Sequence, residues 1–372
     1  MHLALVEGEW PVLDTAWVYP AGALLPMLLP AWGTTTSPVG YAVGWSVVVT
    51  ALGLLAAAVV LRASGGARPA HLALRWWAAF LVLLGPVAIG RLDGVLAPLV
   101  LVALTYAARR PAIAAALLTV GAWIKVAPGA LLLPLLGARR DLGDALRRVV
   151  LPAAAVSAAV VVAVAAGGGL PRLASFLGTQ SGRDLQVEAV AATPWMLGAA
   201  LGVGDAVVSL DEELVTYEVS GPGATLAADL LDLALPLALL GVAILVLLAW
   251  RRDRGAAVLL PASLTTVLVL VVCNKVGSPQ FMTWLAPPVV VMLAAGVGLG
   301  EGRPPKSAVL RTAALTLGVV ALTQVVFPWG YLSLLEGDLA VAVVLAVRNV
   351  ALIALLVLSV RMTWRLTRVR AG

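Results

Sequence analysis

Long apolar blocks alternate with short charged breaks along almost the whole chain. A helix that crosses a bilayer needs ~20 largely apolar residues. The blocks at 38–61, 72–90, 94–108, 148–166, 228–250, 256–273, 281–299, 308–327 and 340–360 therefore predict one crossing each. The stretch 111–138 behaves differently. Arg109 and Arg110 stand before it and Arg139 and Arg140 after it, so both of its ends face the same side. That predicts two short helices or a re-entrant hairpin, turning near Trp123-Ile124-Lys125, and about 11 crossings in all. The apolar piece 21–31 is short and holds Pro26 and Pro30, which places it at the membrane interface. The fold class expected is an all-α polytopic membrane protein, a single helical domain over 1–372.

Composition agrees and excludes most other classes. Hydrophobic residues make up 62% of the 372 and charged residues 12%, against ~45–50% and ~25% in soluble domains. Mean hydropathy is +1.03. No soluble fold of this length hides that much apolar surface, so soluble enzymes and nucleic-acid binders drop out. The net charge of +6 is read first through the positive-inside rule. Of the 25 Lys and Arg, 19 fall in 62–75, 109–110, 139–148, 251–254, 303–311 and 361–370, all on one side of the expected topology. That side is the cytoplasmic one, with the amino terminus outside and the carboxyl terminus inside. One cysteine, Cys273, excludes an intrachain disulfide, and His2 and His71 lie too far apart to suggest a metal site.

Two outer segments exceed what a connector needs. Residues 1–37 precede the first clear span, and 167–227 form a loop with helix-like patches at 171–178 and 193–202. Functional chemistry concentrates on such loops. Five polar groups collect on this face: Glu9, Asp14 and Tyr19 in 9–20; Arg91 and Asp93 in a tight turn; Lys125 at the break of 111–138; Arg183, Asp184, Gln186 and Glu188; and Asn274, Lys275 and Gln280, running into Trp284. Arg348 and Asn349 add to the last group from the final helix. Asp211, Glu212, Glu213 and Glu218 read as a solvated acidic surface. Arg91, Lys125, Arg183 and Lys275 are cations on a face that is otherwise acidic, where the positive-inside bias disfavours them. Together they suit a phosphate at lipid headgroup depth, which Arg grips through a fork and Lys as a point charge.

The segments PVLDTAWVYPAGALLPMLLP (11–30), LGPVAIGRLDGVLAPLVLVAL (84–104), PAIAAALLTVGAWIKVAPGALLLPLL (111–136), GRDLQVEAVAATPW (182–195) and NKVGSPQFMTWLAPP (274–288) resemble, in order, glycosyltransferase family 87. That family is a branch of the GT-C superfamily of integral-membrane glycosyltransferases and includes polyprenyl-phosphate-mannose-dependent α-mannosyltransferases. The resemblance implies a GT-C-like bundle with its active site on extracytoplasmic loops. It implies a polyprenyl-phosphate-sugar donor, a glycolipid or polysaccharide acceptor, no cofactor and no divalent metal. Asp14 matches the family's catalytic carboxylate, the general base of an inverting transfer. Arg183 and Lys275 are the favoured phosphate ligands, with Lys125 and Arg91 next. Tyr19, Asp93, Gln186, Glu188, Gln280 and Trp284 are the candidate sugar contacts. The superfamily also places a spanning helix ahead of the first loop, and the residues before Asp14 are too few to supply it. A secondary transporter or flippase for a lipid-linked or anionic solute is the alternative, but it should place its cations near the midplane between repeated halves.

Overall fold

A computed structural model describes residues 8–31, 37–181, 183–212, 215–295 and 304–368, excepting the side chains of 179–181. Seven helices among them are long and apolar enough to cross a membrane. They are α1 (Pro38–Ala63), α2 (Arg68–Leu84, continued by a 3-10 turn to Ala88), α6 (Leu151–Ala166, entered through turns from Leu142), α8 (Ala224–Trp250), α9 (Gly255–Val272), α11 (Lys306–Gln324) and α12 (Leu339–Arg368). The other four expected crossings are shorter helices: α3 (Asp93–Tyr106), α4 (Pro111–Ile124), the pair Ala127–Leu131 and α5 (Leu132–Gly137), and Pro279–Leu285 running into α10 (Ala286–Ala294). Fourteen residues rise about 21 Å, short of the ~30 Å hydrocarbon core.

Burial separates peripheral helices from central ones. α6 and α8 are largely uncovered by protein, as lipid-facing spans should be, whereas most of α9 is buried. α3 is buried almost all round, packed by α1, α4 and α10. α9 meets α12 through a polar seam in which Thr265 Oγ1 lies 2.8 Å from Ser359 Oγ and 3.1 Å from Thr363 Oγ1. Small hydroxyl side chains of this kind let apolar helices approach closely in a membrane. The broken pair forms as the flanking arginines predict. α4 ends at Lys125, whose backbone is extended (φ −157°, ψ 132°), and Pro128 starts the return.

The large loop contains an element the apolar pattern does not predict. After α7 (Thr193–Leu201), β1 (Val207–Asp211) and β2 (Thr216–Ser220) form an antiparallel hairpin, with Val207 opposite Ser220 and Asp211 opposite Thr216. The segment around Gln186 joins the free edge of β2: Val187 N donates to Tyr217 O (3.2 Å) and Val219 N to Leu185 O (2.8 Å). Glu218, expected on a solvated acidic surface, is instead buried at 9% exposure, because this third segment covers it. Glu212 is exposed as expected, and Glu213 falls outside the described residues.

Candidate active site

The site begins where short helices leave polar residues at one end of the bundle. Asp93 opens α3, where the helix dipole favours a carboxylate, yet it is only 1% exposed. Both of its oxygens are occupied. Lys125 Nζ donates to Oδ1 (3.0 Å) and Oδ2 (2.9 Å), and Trp284 Nε1 donates to Oδ1 (2.6 Å). The ammonium also lies 4.8 Å from the Phe281 ring centroid and 5.3 Å from that of Trp284, and these two rings stack at 4.4 Å. Three segments far apart in sequence are thus locked by one carboxylate. Removing one partner of such a buried pair costs about 3–5 kcal/mol. Lys125 reaches Asp93 because the helix stops there; a continued α4 would carry its side chain elsewhere.

Above this lock the charges are less committed. Tyr19, half-buried, lies within electrostatic range of Asp93, Arg91 and Arg183. Burial first, then Asp93, pushes its phenol up, while the two arginines oppose the shift. Arg91 is exposed and stands 5.8 Å from the Phe327 ring centroid. Arg183 is half-buried, and its Nε has no hydrogen-bond partner. Among the described residues neither Arg91 nor Arg183 makes an ion pair. The other two candidate cations are already neutralised: Lys125 by Asp93, and Lys275 by Asp232 of α8, at 2.9 Å. The geometry separates the four cations by partner. Lys275 gives its charge to Asp232, and Arg91 joins Arg183 as an uncommitted guanidinium. Asp232 was not among the expected site residues, since an acid near a helix start looks ordinary in sequence.

A second buried pair anchors the segment that carries Arg183. Glu188 and Arg348 are 3% and 1% exposed. Arg348 Nη2 donates to the Glu188 backbone oxygen (3.0 Å) and lies 3.6 Å from its Oε2. Asn349 Nδ2 donates to Thr193 Oγ1 (2.8 Å). Burial pushes the Glu188 carboxyl up to about 7, with Arg348 and Arg91 pulling the other way. Tyr331, T-shaped against Phe327 (5.0 Å) and Tyr217 (6.0 Å), closes this side; burial, then Glu188, raises its phenol and Arg91 lowers it. The segment 274–280 is fastened to the same strap. Gln186 N donates to Lys275 O (3.0 Å), and Gly277 lies so close to the Glu188–Ala189 peptide that no Cβ would fit.

Tyr19, Arg91, Asp93, Lys125, Arg183, Glu188 and Trp284 are thus brought together, with Gln186 buried in the strap. Gln280 is half-buried at the start of the turn that delivers Trp284. Phe281, Phe327, Tyr217 and Tyr331 were not anticipated; aromatic residues in apolar blocks carry no signal that separates a site ring from a packing ring. Among the described residues Asp14 makes no hydrogen bond or ion pair with this lock. It is exposed in the turn Trp10–Thr15, where Oδ2 accepts Trp10 N (2.8 Å). That turn docks on the large loop: Arg172 Nη1 donates to Leu13 O (2.7 Å) and Trp17 N to Ser175 Oγ (3.1 Å).

Against known families, the chain matches the model of glycosyltransferase family 87 over residues 17–273, well over half its length. It belongs to that family. No curated protein matches it, and neither does any solved structure. A family 87 chain built of apolar helices is a membrane glycosyltransferase, which uses a sugar donor and an acceptor. The matched range holds Tyr19, Arg91, Asp93, Lys125, Arg183, Gln186 and Glu188. Asp14 lies just before it, and Lys275, Gln280 and Trp284 just after.

Proposed function

We propose that this family 87 enzyme moves a sugar, mannose by family resemblance, from a polyprenyl-phosphate-sugar donor to a hydroxyl of a glycolipid or polysaccharide at the extracytoplasmic face. The observation that carries the reading is a pair of guanidiniums, Arg91 and Arg183, that make no ion pair among the described residues and lie within electrostatic range of Tyr19 near Asp93. They suit a phosphate whose charge must be gripped as the sugar departs. Asp14 takes the proton of the acceptor hydroxyl. The hydroxyl oxygen bonds to the anomeric carbon, the bond from that carbon to the phosphate oxygen breaks, and the polyprenyl phosphate leaves with the electron pair. Attack opposite the leaving group inverts the anomeric centre.

Lys125 and Asp93 position this arrangement, and Trp284 offers an aromatic face to the sugar. An apolar cleft of about 280 Å³ between α1, α2 and α3 starts at Ile89 and Gly94, next to Asp93, and runs to Leu74 and Trp77. It suits the first isoprene units of the donor. Incubating membranes that contain the protein with radiolabelled polyprenyl-phosphate-mannose tests the reading. Transfer of label to glycolipid or polysaccharide is expected. Absence of transfer with this donor, alongside transfer from another sugar-phosphate lipid, would replace the sugar. Absence with every lipid donor would overturn the reading.

A further inference from the structure

The end of the bundle away from Asp93 holds a second cationic site, about the length of α3 distant, or roughly 21 Å. Here a pocket of about 310 Å³ is walled by Arg139, Arg140, Asp144 and Arg148 and floored by Ala256 and Leu259. Across Ala108, Ala256 and Leu259 it shares a wall with a trough of about 520 Å³, lined mainly by apolar residues including Val60, Leu104, Leu260 and Val291. Arg109, whose Nη1 donates to Ala63 O (2.9 Å), stands in the same trough.

The fold builds this pocket deliberately. Gly255, at the start of α9, lies against the Gly137 carbonyl with no room for a Cβ, which brings the turn 137–140 down onto α9. Arg139 is 9% exposed, and its plane is fixed by Nε to Leu135 O and Nη2 to Ala107 O, both 3.2 Å. Arg148 Nε reaches Asp144 Oδ1 at 2.8 Å. The pocket's lining thus holds three arginines against one carboxylate, Asp144, whose ion pair is with Arg148. Burial lowers the Arg139 pKa, and Arg148 lowers it further against the support of Asp144, so the two arginines repel across the pocket. Arg254, one residue before Gly255 but outside the pocket's lining, is also 9% exposed, and among the described residues its Nε and Nη2 have no hydrogen-bond partner. Arg139 is buried while Arg140 and Arg148 reach the surface; an anion among them offsets their mutual repulsion, and basic pockets between membrane helices suit anionic lipid head groups.

We propose that this pocket binds the phosphodiester of an anionic membrane lipid, from the leaflet on the side away from the Asp93 site. The head group sits among Arg139, Arg140 and Arg148, and the glycerol and upper chains lie along the trough. The apolar trough joined to the cationic pocket is what favours a lipid over free phosphate. The site uses no residue of the proposed transfer chemistry and stands independently of it.

Native mass spectrometry of the full chain in detergent, titrated with phosphatidylglycerol or phosphatidylcholine, tests this. Phosphatidylglycerol should be retained preferentially. The doubly substituted Arg140→Gln/Arg148→Gln protein should lose about 5-fold in affinity per charge removed, roughly 25-fold together, the worth of a basic residue near an anionic surface. Both side chains are at or near the surface, so this variant should fold. Leu259→Trp, which fills the shared wall, should weaken lipid retention without changing protection by inorganic phosphate against thermal unfolding. Equal retention of both lipids, or undiminished phosphatidylglycerol binding in the Arg140→Gln/Arg148→Gln protein, would overturn the proposal. So would inorganic phosphate displacing the lipid at similar concentration, since the site would then read the anion alone.

Discussion

Arg183 and Arg91 differ from Lys125 and Lys275 in one physical respect: no carboxylate neutralises them among the described residues. Each should hold donor phosphate through a charge-assisted contact of about 1.5–3 kcal/mol. Arg183→Ala or Arg91→Ala should lower kcat/KM for the lipid donor about 10- to 100-fold, and Arg183→Lys should recover part of it. Lys275→Ala and Asp232→Asn should instead resemble each other, with the double variant no worse than either single one. Donor kinetics of these variants check this. Asp14→Asn keeps the shape and removes the proposed base, so turnover should fall about 10²- to 10⁴-fold with donor affinity preserved. Full turnover in that variant would move the base elsewhere. Glu188 has a pH signature. Its folded pKa, about 7, exceeds the ordinary value of 4.5, so the folded state holds the proton more tightly than the unfolded one. Stability contributed by that proton is complete below about 4.5 and is lost as pH rises to about 7, by at most about 3 kcal/mol. Thermal melts in detergent should show this loss in the wild type and not in Glu188→Gln.

The strap that carries Arg183 is an element-scale device. Residues 185–188 pair with β2 on one side and with Lys275 on the other, and Arg348 fastens them from α12. Gly277 is where 274–280 touches the Glu188–Ala189 peptide, and any side chain there displaces one segment. Gly277→Ala should therefore free the strap from the loop while leaving the seven long helices intact. Limited proteolysis should cut faster within 182–220, with unchanged helical circular dichroism and a loss of transfer. Protection equal to that of the wild type would show that the contact does not hold the strap. The hairpin beside it was illegible because alternation in Val207-Val208-Ser209-Leu210-Asp211 is too short and irregular to announce a strand. Its pairing partner at Gln186 lies across α7 in the sequence, and only the chain path brings the two together.

At the scale of the molecule, the basic residues argue for one orientation. Reporters fused at 66 and 253 should register the cytoplasm, and those at 210 and 333 the outside. A cytoplasmic signal from 210 would put the Asp93 site on the side opposite to the proposed donor. The short helices α3, α4 and α10 matter to this architecture, because ends that stop inside the bundle let Asp93, Lys125 and Trp284 meet. A full-length α4 would separate them.

The apolar blocks by themselves determined the class of protein and the placing of the long helices, because ~20 apolar residues have no other way to satisfy their backbone in lipid, and the arginines flanking 111–138 determined the broken pair at Lys125. Cations at the outer breaks between such blocks also pointed to the candidate site, since the positive-inside bias disfavours them there. What the sequence left open was pairing. Four cations looked alike along the chain, and only tertiary structure gave Asp93 to Lys125 and Asp232 to Lys275, leaving Arg91 and Arg183 uncommitted. Ion pairing depends on distances of a few ångströms between segments far apart in sequence, and no local pattern encodes those distances.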